Sequence, residues 1–413
     1  MINNKIYIIG LLLFGLISCS HENEVEQPIT GQIPAIDSLI EKEIAADHIP
    51  GAVIQVKKGD SILHRAAYGY SKKYDYNLKQ LEYPQKMTTD HLFDLASLTK
   101  VCATTLGIMK LVDEGQIALD NPVFNYLPEF DQGEKSKITV RHLLTHSSGL
   151  AQWKPTYYYA SNPQQCRQYI ADLSLKWKVG EERHYSDLGF MVLGDIIEKV
   201  TGMPMNNYLQ QEIYGPLDLS HTVFNPLEKE LEPVIAATSH GNPFEKQMVY
   251  DNNFGYRVAV EPELWDGWRQ YTLQGEVNDG NAWYANKGVA GHAGLFSSVD
   301  NLQVLIDLLL HDGVYGGEQI ISPSVVDTFL TEDRFGNGLG WAMDSEFISA
   351  EGSPAGTFGH TGFTGTSIVA VPRDSLSIIL LTNRQNVGRQ ENGYYFDLGP
   401  LRQAVYNAVK KER

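Results

Sequence analysis

Strand-like segments lie at both ends of this 413-residue chain, and helix-like segments fill its middle. Short runs rich in apolar and β-branched residues predict strands at residues 52–56, 62–68, 356–360, 367–371 and 376–382. The simplest packing brings both chain ends into one antiparallel sheet covered by the terminal helices, with the middle of the chain as a helical region on one side. The expected fold class is therefore α+β, an α/β sandwich.

Apolar residues at helical spacing predict helices both near the chain ends and through the middle. The predicted helices cover residues 34–49, 97–115, 187–200, 300–311, 323–330 and 401–410. The polar, Tyr-rich stretch 70–90 is predicted to be a surface loop. No internal repeat or Pro/Ser linker follows residue 34, so residues 34–413 are expected to form one folding unit, with a helical subregion at about 90–300.

The N-terminal residues predict a targeting signal. Lys5 precedes an apolar run that is shorter than the roughly 20 residues of a bilayer span, as in a secretory signal peptide. The run ends in Leu16-Ile17-Ser18-Cys19, which resembles the bacterial lipobox, whose Cys becomes the lipid-bearing first residue. We expect a signal peptide at residues 1–18, lipidation of Cys19, a polar tether at residues 19–33 and anchoring in the bacterial cell envelope, on its periplasmic or surface face. An ordinary signal peptide with an incidental Cys is the alternative.

The net charge of the chain is −17, from 33 basic and 50 acidic residues. A nucleic-acid-binding protein needs a basic face for phosphates, so nucleic acid is not an expected partner. Cys102 and Cys166 remain beyond the signal. They either pair in an oxidising compartment or are free thiols, and the apolar helical pattern around Cys102 favours a buried free thiol.

Ser97 and Lys100 form the first candidate chemical pair. Residues three apart on a helix share a face, so the hydroxyl and the amine are expected to lie side by side at a helix N-terminus. A Ser hydroxyl needs a proton acceptor to act as a nucleophile, and a Lys amine accepts a proton only when it is neutral. The backbone N–H of Ser97 is also available to a developing oxyanion. Taken alone, such a pair equally fits a solvated helix surface.

Tyr185 precedes Ser186 and Asp187, just before a predicted helix. A phenol with an ordinary pKa of about 10 is a poor base. Beside Lys100 and another cation its phenolate is favoured, and it can relay the proton of Ser97. The same segment also fits a plain helix start, with Ser186 and Asp187 as an N-cap pair.

His360, Thr361 and Gly362 lie on a predicted strand within a Gly-rich stretch. The glycines allow a ligand backbone to approach the strand closely. The N–H of Phe363 can complete an oxyanion hole with that of Ser97, and His360 can donate to the substrate or to Tyr185. A surface His in a Gly-rich turn is the alternative.

His142 and His146 have the i, i+4 spacing of a metal-binding pair, but the three residues between them include no Glu. We therefore expect no metal site and no cofactor. His146 and Ser147 are expected to brace the turn that leads into the active-site wall.

In this order, Ser-x-x-Lys, Tyr-x-Asp and His-Thr-Gly resemble the motifs of the serine β-lactamase and penicillin-binding-protein superfamily. Residues 139–150, 288–298 and 338–341 look like stretches of its class C branch, with D-aminopeptidases and the related esterases. The resemblance runs from about residue 34 to the C-terminus. It implies a sheet with terminal helices beside a helical region.

The resemblance also implies roles for individual residues. Ser97 is the acylated nucleophile, Lys100 its partner and Tyr185 the base or proton relay. The backbone N–H groups of Ser97 and Phe363 form the oxyanion hole. The residues assigned to substrate binding are Asp187, His360, Thr361 and Gly362.

Two positions depart from the lactamase pattern. Asp187 stands where lactamases of this branch usually carry Asn, and a carboxylate cannot donate amide hydrogen bonds and opposes an anionic substrate. His360 replaces a Lys, which weakens recognition of a carboxylate. Both changes favour an esterase or a peptidase/amidase, with weak or no β-lactamase activity, that acts on a small ester, amide or peptide, including peptides derived from peptidoglycan.

Other interpretations remain open. The chain is alternatively a D,D-carboxypeptidase or β-lactamase, or a catalytically inactive lipoprotein that keeps the penicillin-binding fold. The Asn/Asp/Gly-rich stretch 275–282 is assigned to the pocket rim. The aromatic side chains either line a groove for sugars or acyl chains or belong to the core; they include Trp153, Tyr157, Trp265, Trp268 and Tyr284.

Overall fold

The structure is a computed structural model that describes residues 32–229, 235–251, 253, 256, 258 and 261–412. The expected signal peptide, Cys19 and most of the tether lie outside the described residues. The strands are β1 Gly51–Lys58, β2 Ser61–Asp75, β3 Lys79–Lys86, β4 Phe93–Asp94, β5 Val223–Phe224, β6 Leu295–Ser297, β7 Val314–Tyr315, β8 Glu318–Gln319, β9 Phe358–Thr361, β10 Thr366–Val371 and β11 Leu376–Thr382.

The α-helices are α1 Pro34–Ala45, α2 Leu106–Asp113, α3 Val140–Leu144, α4 Pro163–Asp172, α5 Asp187–Thr201, α6 Met205–Leu209, α7 Pro243–Tyr250, α8 Val299–Leu310, α9 Pro323–Leu330, α10 Ser345–Ile348 and α11 Gly399–Lys411. Segments of π-helix cover Lys100–Thr105, Gln210–Tyr214 and Asn281–Ala285. Turns of 3₁₀-helix cover Tyr76–Leu78, Val123–Asn125, Pro128–Phe130, Gly133–Lys137, Thr156–Tyr158, Pro226–Glu228, Pro262–Leu264, Pro372–Asp374 and Arg384–Val387.

Both chain ends meet in the middle of one sheet. Within the described residues, six strands run in the order β3-β2-β1-β11-β10-β9, and every pairing is antiparallel. β1 pairs with β11 from Ala52 opposite Thr382 to Lys58 opposite Leu376. The predicted α+β sandwich with a sheet from both chain ends is confirmed.

Each face of the sheet is covered by helices. On one face, Ile54 and Ile378 pack with residues of α1 and α11. On the other face, Val53 and Ile379 join the large core that includes α8, α2 and α5. Because the central strands are buried on both faces, they are apolar almost throughout rather than alternating.

The region predicted as a surface loop at residues 70–90 is instead a β-hairpin. β2 continues to Asp75, and β3 returns beside it. β3 is mostly exposed, and Tyr83 is 83% exposed, so its sequence lacks the apolar alternation of a half-buried strand. Backbone pairing with β2 holds this strand, which a pattern of side-chain burial does not reveal.

The middle of the chain supplies a helical region beside the sheet, together with a small sheet in the order β4-β6-β5. Cys102 and Cys166 are both buried free thiols, as expected. In the part of the chain that the structure describes, no helix has both the length and the apolar character needed to cross a membrane.

Candidate active site

Ser97 follows a strained turn at the start of a helix. β4 ends at Asp94, and Ala96 has a φ of 44°, a left-handed conformation that is uncommon for a residue with a Cβ. The Ala96 N–H donates to Asp94 Oδ1 at 2.9 Å and thereby holds the turn. The half-buried Ser97 side chain lines a cleft at the edge of the sheet.

Lys100 is fully buried one turn further along the helix. Its Nζ donates to Ser97 Oγ at 2.9 Å and to the His292 carbonyl at 3.2 Å, and it lies 2.7 Å from Asp187 Oδ1. Burial acts to lower the pKa of Lys100, but the Asp187 carboxylate and Tyr185 outweigh it and the pKa is raised. Lys100 is therefore an ammonium and not the neutral amine that a direct base requires.

Tyr185 lies against the same ammonium. Its ring centroid is 4.9 Å from Lys100 Nζ, and its side chain hydrogen-bonds with both Lys100 and Ser97. Burial raises the pKa of Tyr185, Lys100 opposes the rise and Asp187 adds to it, so that the net pKa lies above its usual value. The expectation of a favoured phenolate is wrong, because burial outweighs the neighbouring cation.

The start of α5 fixes the backbone around Tyr185. Ser186 is the N-cap residue, and its hydroxyl accepts from the Gly189 N–H at 3.1 Å. The Ser186 N–H donates to His146 Nδ1 at 3.0 Å, and the His146 ring packs on the Tyr185 ring with centroids 4.4 Å apart. His146 thus braces this wall of the site, as expected, and the helix-start interpretation of the segment also holds.

His360 is buried on β9, with its ring centroid 6.0 Å from that of Tyr185. Its Nδ1 lies 2.9 Å from the Thr361 carbonyl, which can only accept, so Nδ1 carries the proton and Nε2 is left as an acceptor. Burial, and then Lys100, lowers the pKa of His360 to about 3. The ring is therefore neutral, and its free nitrogen does not supply the donor that we expected.

The residues after His360 have different surroundings. Thr361 lines a separate groove with Phe347 and Arg402. A Cβ at Gly362 would lie 2.1 Å from Thr366 Oγ1 and 2.3 Å from the Leu95 carbonyl. The structure therefore places protein where we expected a ligand backbone, and Gly362 allows the end of β9 to pack on the segment before Ser97.

Phe363 is 38% exposed and lines the same cleft as Ser97. Among the described residues, the backbone N–H groups of Ser97 and Phe363 have no hydrogen-bond acceptor. Two such donors beside a nucleophile are suited to hold an oxyanion. The structure thus brings together Ser97, Lys100, Tyr185 and Phe363 as the sequence analysis proposed.

The cleft has a volume of about 270 Å³. Its lining residues are Ala96, Ser97, Gln152, Trp153, Tyr185, Asp187, Phe244, Glu245, Met248, Tyr256, Asn278, Asp279, His292, Ala293 and Phe363. Asn278 and Asp279 belong to the stretch 275–282, which therefore contributes to the pocket as expected. Trp153 also lines the cleft, whereas Trp265 and Trp268 pack against Tyr157 and Tyr284 in an aromatic cluster.

The charges in this cleft are acidic. Asp187, Glu245 and Asp279 line it, and none of its described lining residues is Lys or Arg. Burial, and then repulsion from Asp279, raises the pKa of Glu245 to about 8. Burial acts to raise the pKa of Asp279, but His292, 2.9 Å away, outweighs it and the pKa is lowered. The cleft therefore holds a neutral carboxyl beside a carboxylate at neutral pH.

Sequence reasoning missed Glu245 and His292. Glu245 lies on α7, whose sequence resembles no motif, and its Oε1 accepts from the Gly280 N–H at 2.7 Å across the cleft. His292 stands in a stretch that resembles the class C branch, but no chemical role was assigned to it. In the described ranges, no group of three or more His, Cys, Asp or Glu side chains is placed to hold a metal ion.

A serine nucleophile, a buried ammonium, a phenol and two free backbone N–H groups in one cleft define a serine hydrolase that works through an acyl-enzyme. A family model described as Beta-lactamase matches residues 36–398, and the chain belongs to this family. The predicted membership of the serine β-lactamase and penicillin-binding-protein superfamily is confirmed.

Two relatives align with most of the chain. An N-acetylmuramyl-L-alanine amidase of Bacillus subtilis (strain 168) is 36% identical over 94% of this chain and 91% of its own length. A putative D-alanyl-D-alanine carboxypeptidase of Escherichia coli (strain K12) is 34% identical over 87% of this chain and 85% of its own length. The protein is an enzyme of the acyl-enzyme type, as predicted.

A class C β-lactamase from Rhodobacter sphaeroides shares the fold. It has a TM-score of 0.62 and 19% sequence identity, and the match covers 92% of this chain and 99% of that chain. At this identity the likeness concerns the architecture alone.

Proposed function

We propose that this protein is a serine amidase or esterase for substrates that have no carboxylate next to the scissile bond, and that its substrates are amides derived from peptidoglycan. The observation that carries the proposal is the charge of the cleft. Three carboxyl groups line it, Lys100 is already paired with Asp187, and His360 is neutral.

Carboxylate recognition separates this proposal from its alternatives. A β-lactam and a D-alanyl-D-alanine peptide each carry a carboxylate close to the amide that reacts. Such a group needs a cation or several donors, and in this cleft it would instead meet Asp187 and Asp279. An amide whose neighbouring groups are neutral avoids that repulsion.

The similarity to the B. subtilis amidase supports the same choice, because it extends over 94% of this chain. In a muramyl peptide, the carboxyl group of the first alanine is itself in a peptide bond. It is therefore uncharged beside the amide that an N-acetylmuramyl-L-alanine amidase cleaves.

Acylation starts when Ser97 Oγ attacks the carbonyl carbon of the substrate. The Ser97 proton passes to Tyr185, which gives its own proton to Lys100, and Lys100 releases one to Asp187 at 2.7 Å. This relay leaves Asp187 protonated and Lys100 still an ammonium. The raised pKa values of Tyr185 and Lys100 keep both groups protonated before the reaction, and in the relay each gives up one proton as it receives another. No preformed phenolate is required.

The tetrahedral intermediate places its oxyanion on the N–H groups of Ser97 and Phe363. When it collapses, the bond from carbon to the amine or alcohol breaks, and the leaving group receives the proton back through Tyr185. Water then attacks the acyl-enzyme, its proton follows the same relay, and Ser97 is released with the acid product.

Matched substrates test the proposal. Purified protein is incubated with muramyl-L-alanyl-D-isoglutamine, with an acylated D-alanyl-D-alanine peptide and its C-terminal carboxamide, and with a chromogenic cephalosporin. We expect cleavage of the muramyl amide, faster turnover of the carboxamide than of the free acid, and little cephalosporin hydrolysis. Preference for the free carboxylate, or rapid cephalosporin hydrolysis, would contradict the proposal in favour of a carboxypeptidase or lactamase.

A labelling experiment addresses the inactive alternative. A short activated ester is mixed with wild-type protein and with Ser97→Ala, and intact mass is measured. An acyl adduct on the wild type alone supports turnover through Ser97. Absence of an adduct from both supports a binding lipoprotein that retains the fold.

We also propose that the enzyme is held at the bacterial cell envelope by lipid on Cys19, which the lipobox-like sequence supports. Cys19→Ala should move the protein from the membrane fraction to the supernatant and leave its specific activity unchanged. Unchanged fractionation would refute the lipid anchor without affecting the proposed chemistry.

A further inference from the structure

Asp94 lies directly beneath the turn that presents Ser97. Its side chain is 1% exposed and accepts two backbone hydrogen bonds. Oδ1 accepts from the Ala96 N–H at 2.9 Å, and Oδ2 accepts from the Asn278 N–H at 2.6 Å. One carboxyl group therefore joins the strained turn before the nucleophile to the wall of the cleft.

The backbone of the same residue reaches the other half of the oxyanion hole. The Asp94 carbonyl accepts from Thr364 Oγ1 at 2.6 Å, and Thr364 directly follows Phe363. The next carbonyl, that of Leu95, accepts from Thr366 Oγ1 at 3.1 Å. The segments that carry the two free N–H groups are thus both tied to Asp94 and Leu95.

We infer that Asp94 is a positioning residue that sets the orientation of the Ser97 N–H and its separation from the Phe363 N–H. The inference rests on the proposed roles of these two groups as the oxyanion hole. Asp94 does not line the cleft and acts through Ala96, Asn278 and Thr364. Small displacements of oxyanion donors carry a large cost, since catalysis depends on their placement before the charge develops.

The protonation state of Asp94 should make turnover depend on pH. Burial raises the pKa of Asp94 to about 6, the hydrogen bonds from Asn278 and Ala96 oppose the rise, Asp279 adds to it and Arg269 lowers it. The carboxylate accepts both N–H groups, whereas the protonated acid accepts only one of them well. Turnover should therefore fall as the pH drops through about 6.

Asp94→Asn provides the test, since it keeps the shape and removes one acceptor. With a short activated ester as the substrate, we expect kcat to fall about 10- to 100-fold with little change in KM, because misplacement costs less than loss of a whole donor. The acidic limb of the wild-type pH profile should disappear in this variant. A variant with wild-type kcat and an unchanged acidic limb would overturn the inference.

Asp195→Asn is the matched control. Asp195 is a partly buried aspartate whose pKa burial also raises, to about 7, but it pairs with Arg167 at 3.1 Å and lies outside the cleft. We expect this variant to keep both kcat and the acidic limb. Equal effects of the two substitutions on the pH profile would show that any buried charge produces this pH dependence, and would also overturn the inference.

Substitutions of Thr364 test the positioning role of Asp94 if Asp94→Asn does not fold. Thr364→Val removes the hydrogen bond to the Asp94 carbonyl at nearly constant volume, and Thr364→Ser keeps it. We expect Val to lower kcat and Ser to restore most of it; equal kcat in both would count against the inference. Failure of the wild type to turn over any ester or amide would instead refute the proposed function.

Discussion

The ion pair between Lys100 and Asp187 determines which groups near Ser97 can take a proton. Most serine hydrolases need a neutral base beside the nucleophile. Here a carboxylate 2.7 Å from a fully buried ammonium keeps Lys100 charged, and burial keeps Tyr185 neutral. None of these groups is therefore a free neutral base for Ser97. Its proton must pass through Tyr185 and Lys100 to Asp187.

Asp187→Asn tests this arrangement. Without the carboxylate, the raised pKa of Lys100 should fall, and the terminal proton acceptor is lost. The enzyme then needs a neutral Lys100, so activity at pH 7 should drop at least about tenfold, and the pH optimum should move upward. Steady-state rates across pH 5–10 measure this shift. Asp120 provides the control, because its side chain pairs with Arg141 and is 76% exposed. Asp120→Asn should leave the pH profile unchanged. An unaltered optimum in Asp187→Asn would remove Asp187 from the relay.

Glu245→Gln concerns stability. A carboxyl group whose folded-state pKa is raised to about 8 binds its proton more tightly in the folded chain, so stability is greatest below its unfolded pKa and declines as the pH rises towards 8. Gln can still accept from the Gly280 N–H and carries no charge. The melting temperature should rise by several degrees at pH 9 and change little near pH 5. Equal melting temperatures of the wild type and Glu245→Gln at pH 9 would show that the charged form of Glu245 does not destabilise the folded chain.

At the scale of the elements, apolar runs identified the strands that are buried. β1, β10 and β11 lie in the middle of the sheet, and their largely apolar sequences predicted them within two residues. β3 was missed because a strand that is exposed on both faces leaves no burial pattern in its sequence. Sequence periodicity predicts an element only where its side chains contact the core. It does not predict a strand such as β3, which is defined by backbone pairing alone.

The candidate site shows the same limit. Ser97, Lys100 and Tyr185 were found because a motif carries their chemistry. Asp94 and Glu245 were not, since their roles depend on backbone N–H groups more than 30 residues away in the chain. Spacing along a sequence cannot report such partners.

Gly362→Ala tests how the end of β9 meets the nucleophile turn. The new Cβ would lie 2.3 Å from the Leu95 carbonyl, so β9 and the segment before Ser97 must separate. We expect a loss of stability of about 1–3 kcal/mol, as for other overpacked sites, together with reduced kcat. Gly189→Ala, whose Cβ would meet its nearest atom at an ordinary 3.7 Å, is the control. Wild-type kcat and stability in Gly362→Ala would exclude this close packing.

At the scale of the whole molecule, the sheet joins residues that are more than 300 positions apart. β1 has β11 as one neighbour, so the N-terminal strands have no complete sheet until the C-terminal strands arrive. The face of that sheet that carries Val53 and Ile379 shares one core with the helical region. The sheet and the helical region should therefore unfold together.

Val405→Ala on α11 tests this cooperativity. Val405 is buried against the face of the sheet that α1 and α11 cover. Five of the six Trp residues, from Trp153 to Trp283, belong to the middle of the chain, and Trp341 contacts Phe358 on β9. The truncation should cost about 2 kcal/mol, and the far-UV circular dichroism and Trp fluorescence transitions should shift by the same amount. Lys411→Ala, at an exposed site on the same helix, should shift neither. If circular dichroism changed at a lower denaturant concentration than fluorescence, the terminal sheet would unfold by itself, and residues 34–413 would be two folding units.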